Sequence, residues 1–487
     1  MCYSNTVIDQ QGELMNRSFF ATLATVLFVT AAQAETTKKI NILHLNADDH
    51  RADGAAALGN PDKVYTPTLD KLVERGFTFR HCYTMGAMIG AVCTPSRTMM
   101  LTGLSWQHIP GANAKSTIPT ATDASTYLPR VMQAAGYQTF HAGKSGNSFS
   151  AGIKEFEICI HLDDKLADGR ANVSRVMGDL AIDFLDKKRD KSRPFYIYLA
   201  PSVPHDPRTA EPQFHGKYKA QDIKKSPCFL PQLPIDNGEM TVRDEKLEPW
   251  PRTEAMIQQV RADYYACISG LDYNFNRVIE KLKDIGEYEN TIIVFTGDNG
   301  LSVGDHGLIG KQNLFEFGGM HVPCIIAGPN IPQGKSDALV YLMDIFPTFC
   351  DLGGAKIPAH VDAKSLMPII TGKQEKTRDT LYTGYRDSQR AIRDQRWKLM
   401  RYPLINVTHL FDLQNDPHEM SDVSSQNSDK VKEMMALLAG EMKRCDDPIP
   451  LIVDKPMPAA WTPPDTNDSK KQKQAKHTQN RNRKKTP

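Results

Sequence analysis

No stretch of this 487-residue sequence is apolar for long enough to cross a membrane, since a spanning helix needs about 20 such residues. The longest run, Phe19 to Val29, falls well short. Met15-Asn16-Arg17 precedes it and Ala32-Gln33-Ala34 closes it. That positive, apolar, small-residue order predicts a secretory signal peptide over 1–34, with Met15 as the working start and cleavage after Ala34. Metal-binding cysteine patterns are missing too. Nine cysteines are scattered without paired spacing, which excludes a zinc framework. A strong charge of one sign is also lacking. The net charge is +2, and eight Lys or Arg fall between Lys470 and Pro487 without an acid, so the body is mildly acidic. No aromatic residue interleaves with that basic end to stack on bases, so no nucleic-acid partner is expected. There is no internal repeat.

What is present is an ordinary globular composition, 40% hydrophobic and 24% charged. Apolar, β-branched runs end in polar loops. Ile40 to Leu45 leads into Asn46-Ala47-Asp48-Asp49, Phe195 to Leu199 into a loop through His205, and Thr291 to Phe295 into Thr296-Gly297-Asp298-Asn299. Val322 to Ala327 is a fourth such run, and helical periods lie between them, around Val173 to Phe184 and Ala255 to Leu282. Strands alternating with helices predict an α/β sandwich with a mostly parallel central sheet. Beyond Gly372 the texture changes to short strands at Thr380–Tyr385, Arg390–Arg393, Trp397–Tyr402 and His409–Leu413, then a helix over Ser428–Arg444. The expected organisation is a catalytic α/β domain over 35–372 and a C-terminal antiparallel sheet with a covering helix over 373–450. A tail over 451–487 is Pro-rich and extended, then basic and disordered.

In open α/β sheets functional groups gather beyond the carboxyl ends of strands, where both acidic pairs sit. Asp48 and Asp49 follow one strand, Asp298 and Asn299 another. Four such oxygens suit a hard divalent cation, although each pair alone reads more simply as a loop cap or turn. Cys93-Thr94-Pro95 reads as a helix entrance, with Thr94 as N-cap and Pro95 in the first helical position. That places Cys93 at the positive end of a helix dipole, with Arg97 one turn in. Taken locally, a buried structural cysteine explains it better.

Cys93-Thr94-Pro95-Ser96-Arg97, followed by Leu101-Thr102-Gly103, resembles the signature of the type I sulfatases of the alkaline phosphatase-like superfamily. The family's other motifs follow in order over about residues 39–425. They are Asp48-Asp49, Gly143-Lys144, His205, Asp298-Asn299-Gly300, Lys311 before Leu314-Phe315-Glu316, and the C-terminal Trp397-Lys398-Leu399 and Leu410-Phe411-Asp412. The resemblance implies that a formylglycine-generating maturation enzyme oxidises Cys93 to an aldehyde, which water converts to a geminal diol. It implies one Ca²⁺ held by Asp48, Asp49, Asp298, Asn299 and residue 93. Arg97 would hold residue 93, Lys144 and Lys311 would neutralise sulfate oxygens, and His205 would protonate the departing alcohol. The implied activity is sulfate-ester hydrolysis, with a sulfated polysaccharide or oligosaccharide as the expected substrate of a periplasmic or extracellular enzyme. Two alternatives share the fold: a phosphodiester or phosphonate monoester hydrolase, and a non-catalytic sulfated-glycan binding protein.

One departure stands out. Family members commonly carry a histidine two residues after the matched lysine, where the resemblance implies that it helps collapse the sulfated intermediate; this chain has Gly146 there. His141 is the nearest replacement in sequence, and it reads more simply as a structural residue. Three segments are expected to line the substrate pocket: Ser145–Phe149, Arg208–Phe214 and Arg386–Arg390.

Overall fold

The computed structural model describes residues 38–109 and 123–464. The expected signal peptide and the basic end beyond residue 464 lie outside the described residues. Nine strands come first: β1 Asn41–Ala47, β2 Phe77–Tyr83, β3 Gly86–Ala87, β4 Gln138–Gly143, β5 Ile158–His161, β6 Phe195–Ala200, β7 Thr291–Gly297, β8 His321–Ala327 and β9 Gly334–Tyr341. Eight of them form one sheet in the order β5-β4-β6-β1-β7-β8-β2-β9. Every neighbouring pair is parallel except those involving β8, which runs against both β7 and β2. The mostly parallel sheet is as expected. The reversal of β8 has a local cause: the chain leaving β7 folds back over the same sheet edge, with Gly300 N–H on Gly319 O at 2.8 Å, and re-enters from that end. A strand entered that way must be antiparallel.

β1 is wholly buried, and its alternate residues feed two cores. Ile42 packs with Tyr196, Val294, Met100 and Phe346, whereas Leu43 and Leu45 pack with Ile197, Phe295, Phe275 and Val278. The period of two thus splits one strand between two helical layers, each buried side chain contributing roughly 1.5–3 kcal/mol. The first layer includes the helix Cys93–Thr102, buried at all ten positions. The second includes Glu254–Asp284, capped by Thr253, whose hydroxyl accepts from Met256 N–H.

Four further strands, β10 Leu381–Tyr385, β11 Gln389–Arg393, β12 Trp397–Tyr402 and β13 Val407–Asp412, form an antiparallel meander. The helix Ser428–Arg444 covers it through Met434, Leu438 and Met442, spaced four apart on one face. β3, from the N-terminal part of the chain, pairs in parallel with β10 and extends this second sheet. That pairing requires glycine: a Cβ on Gly86, at φ +125°, would stand 1.8 Å from Gly384 O. Buried Glu316, in the β7–β8 connection, meets Arg393 and Lys398 of the meander at 2.7 and 2.9 Å. From 451 the chain runs extended along the body, with Asn406 Nδ2 on Val453 O at 2.7 Å and Ala460 bridged to Ile235. Among the described residues no helix is long and apolar enough to cross a membrane.

Candidate active site

Register places the two acidic pairs side by side. In the β1–β7 pairing Ala47 lies opposite Gly297, so Asp48-Asp49 and Asp298-Asn299 leave adjacent strands at the same level. β4 and β6 end level with one another as well, Gly143 opposite Ala200, which brings Lys144 and the loop to His205 alongside. Asp48 N–H bonds Val203 O at 3.0 Å and ties that loop to the acidic pair. The carboxyl ends of four adjacent parallel strands thus deliver most of the cluster.

The helix at Cys93 begins two residues earlier than expected. It spans Cys93–Thr102, Val92 is its N-cap, and Thr94 makes no capping bond. The Thr94 carbonyl instead accepts from the Thr98 hydroxyl at 2.7 Å. Pro95 tolerates this because the first-turn N–H groups have no helical partner to lose. Cys93 is fully buried, its Sγ 3.0 Å from Lys311 Nζ and 3.6 Å from Asp49 Oδ1. Ligand atoms of Asp48, Asp49, Cys93 and Asp298 all lie within 4.8 Å of one another. Asn299 Nδ2 donates to Asp49 Oδ1 at 2.8 Å.

Three buried cations face these carboxylates. Lys144 Nζ is 2.5 Å from Asp48 Oδ2, Lys311 Nζ 2.6 Å from Asp49 Oδ1, and Arg97 Nε 2.8 Å from Asp298 Oδ2. Arg97 also pairs with Asp48 Oδ1 at 3.5 Å, so it grips carboxylates of both loops. His205 Nε2 is 3.8 Å from Asp49 Oδ2, and its Nδ1–H is held by Asp206 O at 2.7 Å. Burial pushes the Asp48 carboxyl up, but Lys144, His205, Arg97 and Lys311 outweigh it and hold the group well below the usual range. For Asp298 burial wins over Arg97, and its carboxyl is raised. Burial and the charge of Asp298 also push the Cys93 thiol well up, so an unmodified Cys93 is a poor nucleophile.

The donor set fits calcium. Three carboxylates and an amide oxygen are the ligands of a hard cation. Buried Asn299 Oδ1 has no hydrogen-bond partner and Asp48 Oδ1 has only the long Arg97 contact, a costly arrangement unless something else satisfies them. Sulfur is the misfit, being soft where the other donors are hard; an oxygen at residue 93 would complete the set.

All nine residues singled out in the sequence therefore converge. His141 does not join them: it is a buried β4 ring stacked on Tyr198 and bonded to Tyr198 O at 3.0 Å, and burial lowers it to about 3. Sequence reasoning missed Tyr264, whose hydroxyl donates to Asp49 O at 2.7 Å and accepts from Arg51 N–H at 2.9 Å. It also missed Glu239, Arg243, Asp244 and Gln312, which with Asn147 and Arg386 line a cavity of about 260 Å³ that reaches His205 and Lys311. Of the three expected pocket segments, Ser145–Phe149 contributes Asn147 and Arg386–Arg390 contributes Arg386; none of Arg208–Phe214 lines this cavity. Only Arg386 and Asn147 lay in stretches a reader of the sequence would pick.

The fold and this cluster fit a hydrolase of the α/β class with a candidate metal site. The sulfatase family profile matches residues 40–355, and that of the N-sulphoglucosamine sulphohydrolase C-terminal region matches 304–447. The chain belongs to the sulfatase family. It is 26% identical to the N-acetylglucosamine-6-O-sulfatase of Bacteroides thetaiotaomicron, over 85% of this chain and 88% of that one. It is 27% identical to the human N-acetylglucosamine-6-sulfatase, over 74% and 70%. Two solved structures share its fold. One, in complex with its substrate D-glucosamine-2-N,6-O-disulfate, has a TM-score of 0.69 at 24% identity, over 85% of this chain and 99% of that one. The other, the phosphonate monoester hydrolase of Agrobacterium radiobacter, has a TM-score of 0.69 at 19% identity, over 84% and 95%.

Proposed function

We propose that this sulfatase-family enzyme, exported by its N-terminal segment, removes sulfate from sulfated poly- or oligosaccharides, with residue 93 acting as formylglycine. The observation that carries this reading is the setting of Cys93, a buried sulfur among hard oxygen ligands with Lys311 Nζ 3.0 Å away. A maturation enzyme is the partner this requires. Oxidised and hydrated, residue 93 would supply a diol, one oxygen to attack sulfur and the other to expel sulfate afterwards. Calcium, held by Asp48, Asp49, Asp298, Asn299 and residue 93, would supply Lewis-acid polarisation of the sulfate.

The chain's own residues do the rest. Arg97 fixes Asp298 and Asp48 in place for their shared task. Lys144 and Lys311 meet the charge that shifts onto sulfate oxygens in the transition state. His205, its Nδ1–H fixed by Asp206 O, turns Nε2 toward the cluster and protonates the departing alcohol. The relatives' substrates point to 6-sulfated N-acetylglucosamine units as the first esters to try.

The test combines mass spectrometry of the residue-93 peptide with sulfate release from sulfated sugars, against matched phosphate and phosphonate esters. Formylglycine together with preferential sulfate release is expected. An unmodified thiol in active protein, or faster phosphonate cleavage, would refute the reading.

A further inference from the structure

The cavity beside His205 and Lys311 carries a balance of charge that bears on which sugar enters it. Its lining outside the reaction centre includes Asn147, Glu239, Arg243, Asp244, Gln312 and Arg386. Both arginines are already committed. Arg243 forks onto Asp206 at 2.6 and 2.9 Å and reaches Asp244 Oδ1 at 2.6 Å. Arg386 is paired with Glu239. Gln312 Nε2 occupies Asp244 Oδ2 at 2.9 Å. Two guanidinium groups thus face three carboxylates, and among the described residues this wall offers no unpaired cation.

That wall adjoins the reaction centre covalently. Asp206 follows His205, whose Nδ1 it holds, and Gln312 follows Lys311. A sugar whose sulfate is gripped by the centre must therefore lay its ring against these ion pairs. Guanidinium N–H groups beside carboxylate oxygens offer donors and acceptors together, which suits hydroxyls and amides because those groups both donate and accept. A second sulfate or a uronate only accepts, and it would be set against Asp206, Asp244 and Glu239 with no free cation to receive it. The cavity volume of about 260 Å³ lies below the roughly 300–1,000 Å³ of drug-sized ligand sites, which is room for one sugar ring.

We infer that this wall selects sugar units whose only anion is the sulfate being removed, with Glu239, Asp244 and their arginine partners as the specificity-determining groups. The inference rests on the sulfatase reading above. Its test compares kcat/KM for N-acetylglucosamine 6-sulfate, glucosamine N,6-disulfate and 4-nitrophenyl sulfate, using protein whose residue 93 has been verified as formylglycine. The N-acetylated monosulfate should be preferred over the disulfate by about tenfold or more. Glu239→Gln and Asp244→Asn each remove one negative charge and should each narrow that preference by about threefold. Two variants guard against one misfolding, and the wild-type ratio needs neither. If 4-nitrophenyl sulfate is cleaved and the disulfate is turned over as well as the monosulfate, the inference fails and the sulfatase reading stands. A preference that both folded variants leave unchanged also overturns the assignment to this wall. No sulfate release from any of the three esters would overturn both readings.

Discussion

Arg51 Nη1 lies 2.7 Å from Asp305 Oδ2, and this buried pair locks together the two loops that carry the acidic cluster. Arg51 stands two residues after Asp49 and also donates to Leu301 O and Ser302 O, just beyond Asn299. Asp305 receives a second guanidinium from Arg261 at 2.6 Å. Asp305→Asn would leave two buried cations undercompensated and should cost about 3–5 kcal/mol, read as a lower denaturant midpoint with reduced activity. Burial raises the Asp305 carboxyl, but Arg261 and Arg51 outweigh it and bring it down to about 2. A depressed carboxylate stabilises above its unfolded value near 3.8 and loses that contribution as pH falls through about 2. The gap between wild type and variant should therefore close on acidification. A gap that is constant from pH 6 to pH 2 would show that the pairing contributes nothing.

Cys93→Ala tests the nucleophile separately from the fold. The side chain is buried but small, and its loss leaves Lys311 still paired with Asp49. Melting should shift by only a few degrees, whereas sulfate release should fall by several orders of magnitude. Retained turnover in a Cys93→Ala protein would remove residue 93 from the chemistry.

Calcium should stabilise this protein as well as activate it. Three buried aspartates share one locus, and a cation that binds only the folded state adds RT ln(1 + [L]/Kd), about 2.7 kcal/mol at a hundredfold excess over Kd. Chelation should lower the melting temperature, and added Ca²⁺ should restore it. In Asp48→Asn, which removes one carboxylate ligand, the calcium-dependent shift should shrink markedly. An identical shift in that variant would place the ion elsewhere.

How far these features could be read from sequence differs with their physics. β1, β6, β7 and β8 were legible because strands buried on both faces are near-continuous apolar, β-branched runs. β2 and β9 were not. Arg80 and His81 interrupt the first, and Gly-Lys-Ser-Asp opens the second on an exposed edge, so neither shows a clean period. The reversal of β8 lies in the path of the β7–β8 connection rather than in its own residues. A Cβ on Gly319 in that connection would stand 1.7 Å from Lys311 O, a contact between residues eight apart that no local pattern announces. Within the site, Asp48, Asp49, Asp298 and Asn299 could be found because strand ends point to them. Lys144, His205 and Lys311 needed the family motif. Tyr264 and the wall from Glu239 to Asp244 had no signal, the first being one aromatic among many in a helix and the second lying in irregular chain.

His205 should matter in proportion to how badly the leaving alcohol needs a proton. A sugar alkoxide is a poor leaving group, and general acid catalysis is worth about 10²–10⁴-fold. His205→Ala should therefore lose roughly that factor on a sulfated sugar and far less on 4-nitrophenyl sulfate, whose leaving group departs unprotonated. Equal losses on both esters would recast His205 as a residue that merely binds the sulfate.

Gly146 marks the step for which the chain looks least equipped. It lies two residues beyond Lys144 on the pocket loop, beside Asn147, which lines the cavity. It is exposed, nothing stands within 4 Å of where a Cβ would be, and its φ lies outside the left-handed region. A side chain there is sterically free, so Gly146→His should fold with an unchanged melting temperature. The chemistry should change. Without a proton acceptor at 146, expulsion of sulfate from residue 93 should be slower than its capture, and 4-nitrophenyl sulfate should show a burst of phenol before a slower steady state. Gly146→His places an imidazole with a pKa near 6.5 beside that step. The burst should shrink and kcat rise by several-fold, with the gain lost below about pH 6 as the added ring takes up a proton. A wild-type enzyme that shows no burst would mean that sulfate expulsion is not slow, and that a group other than a residue-146 side chain already accepts the proton.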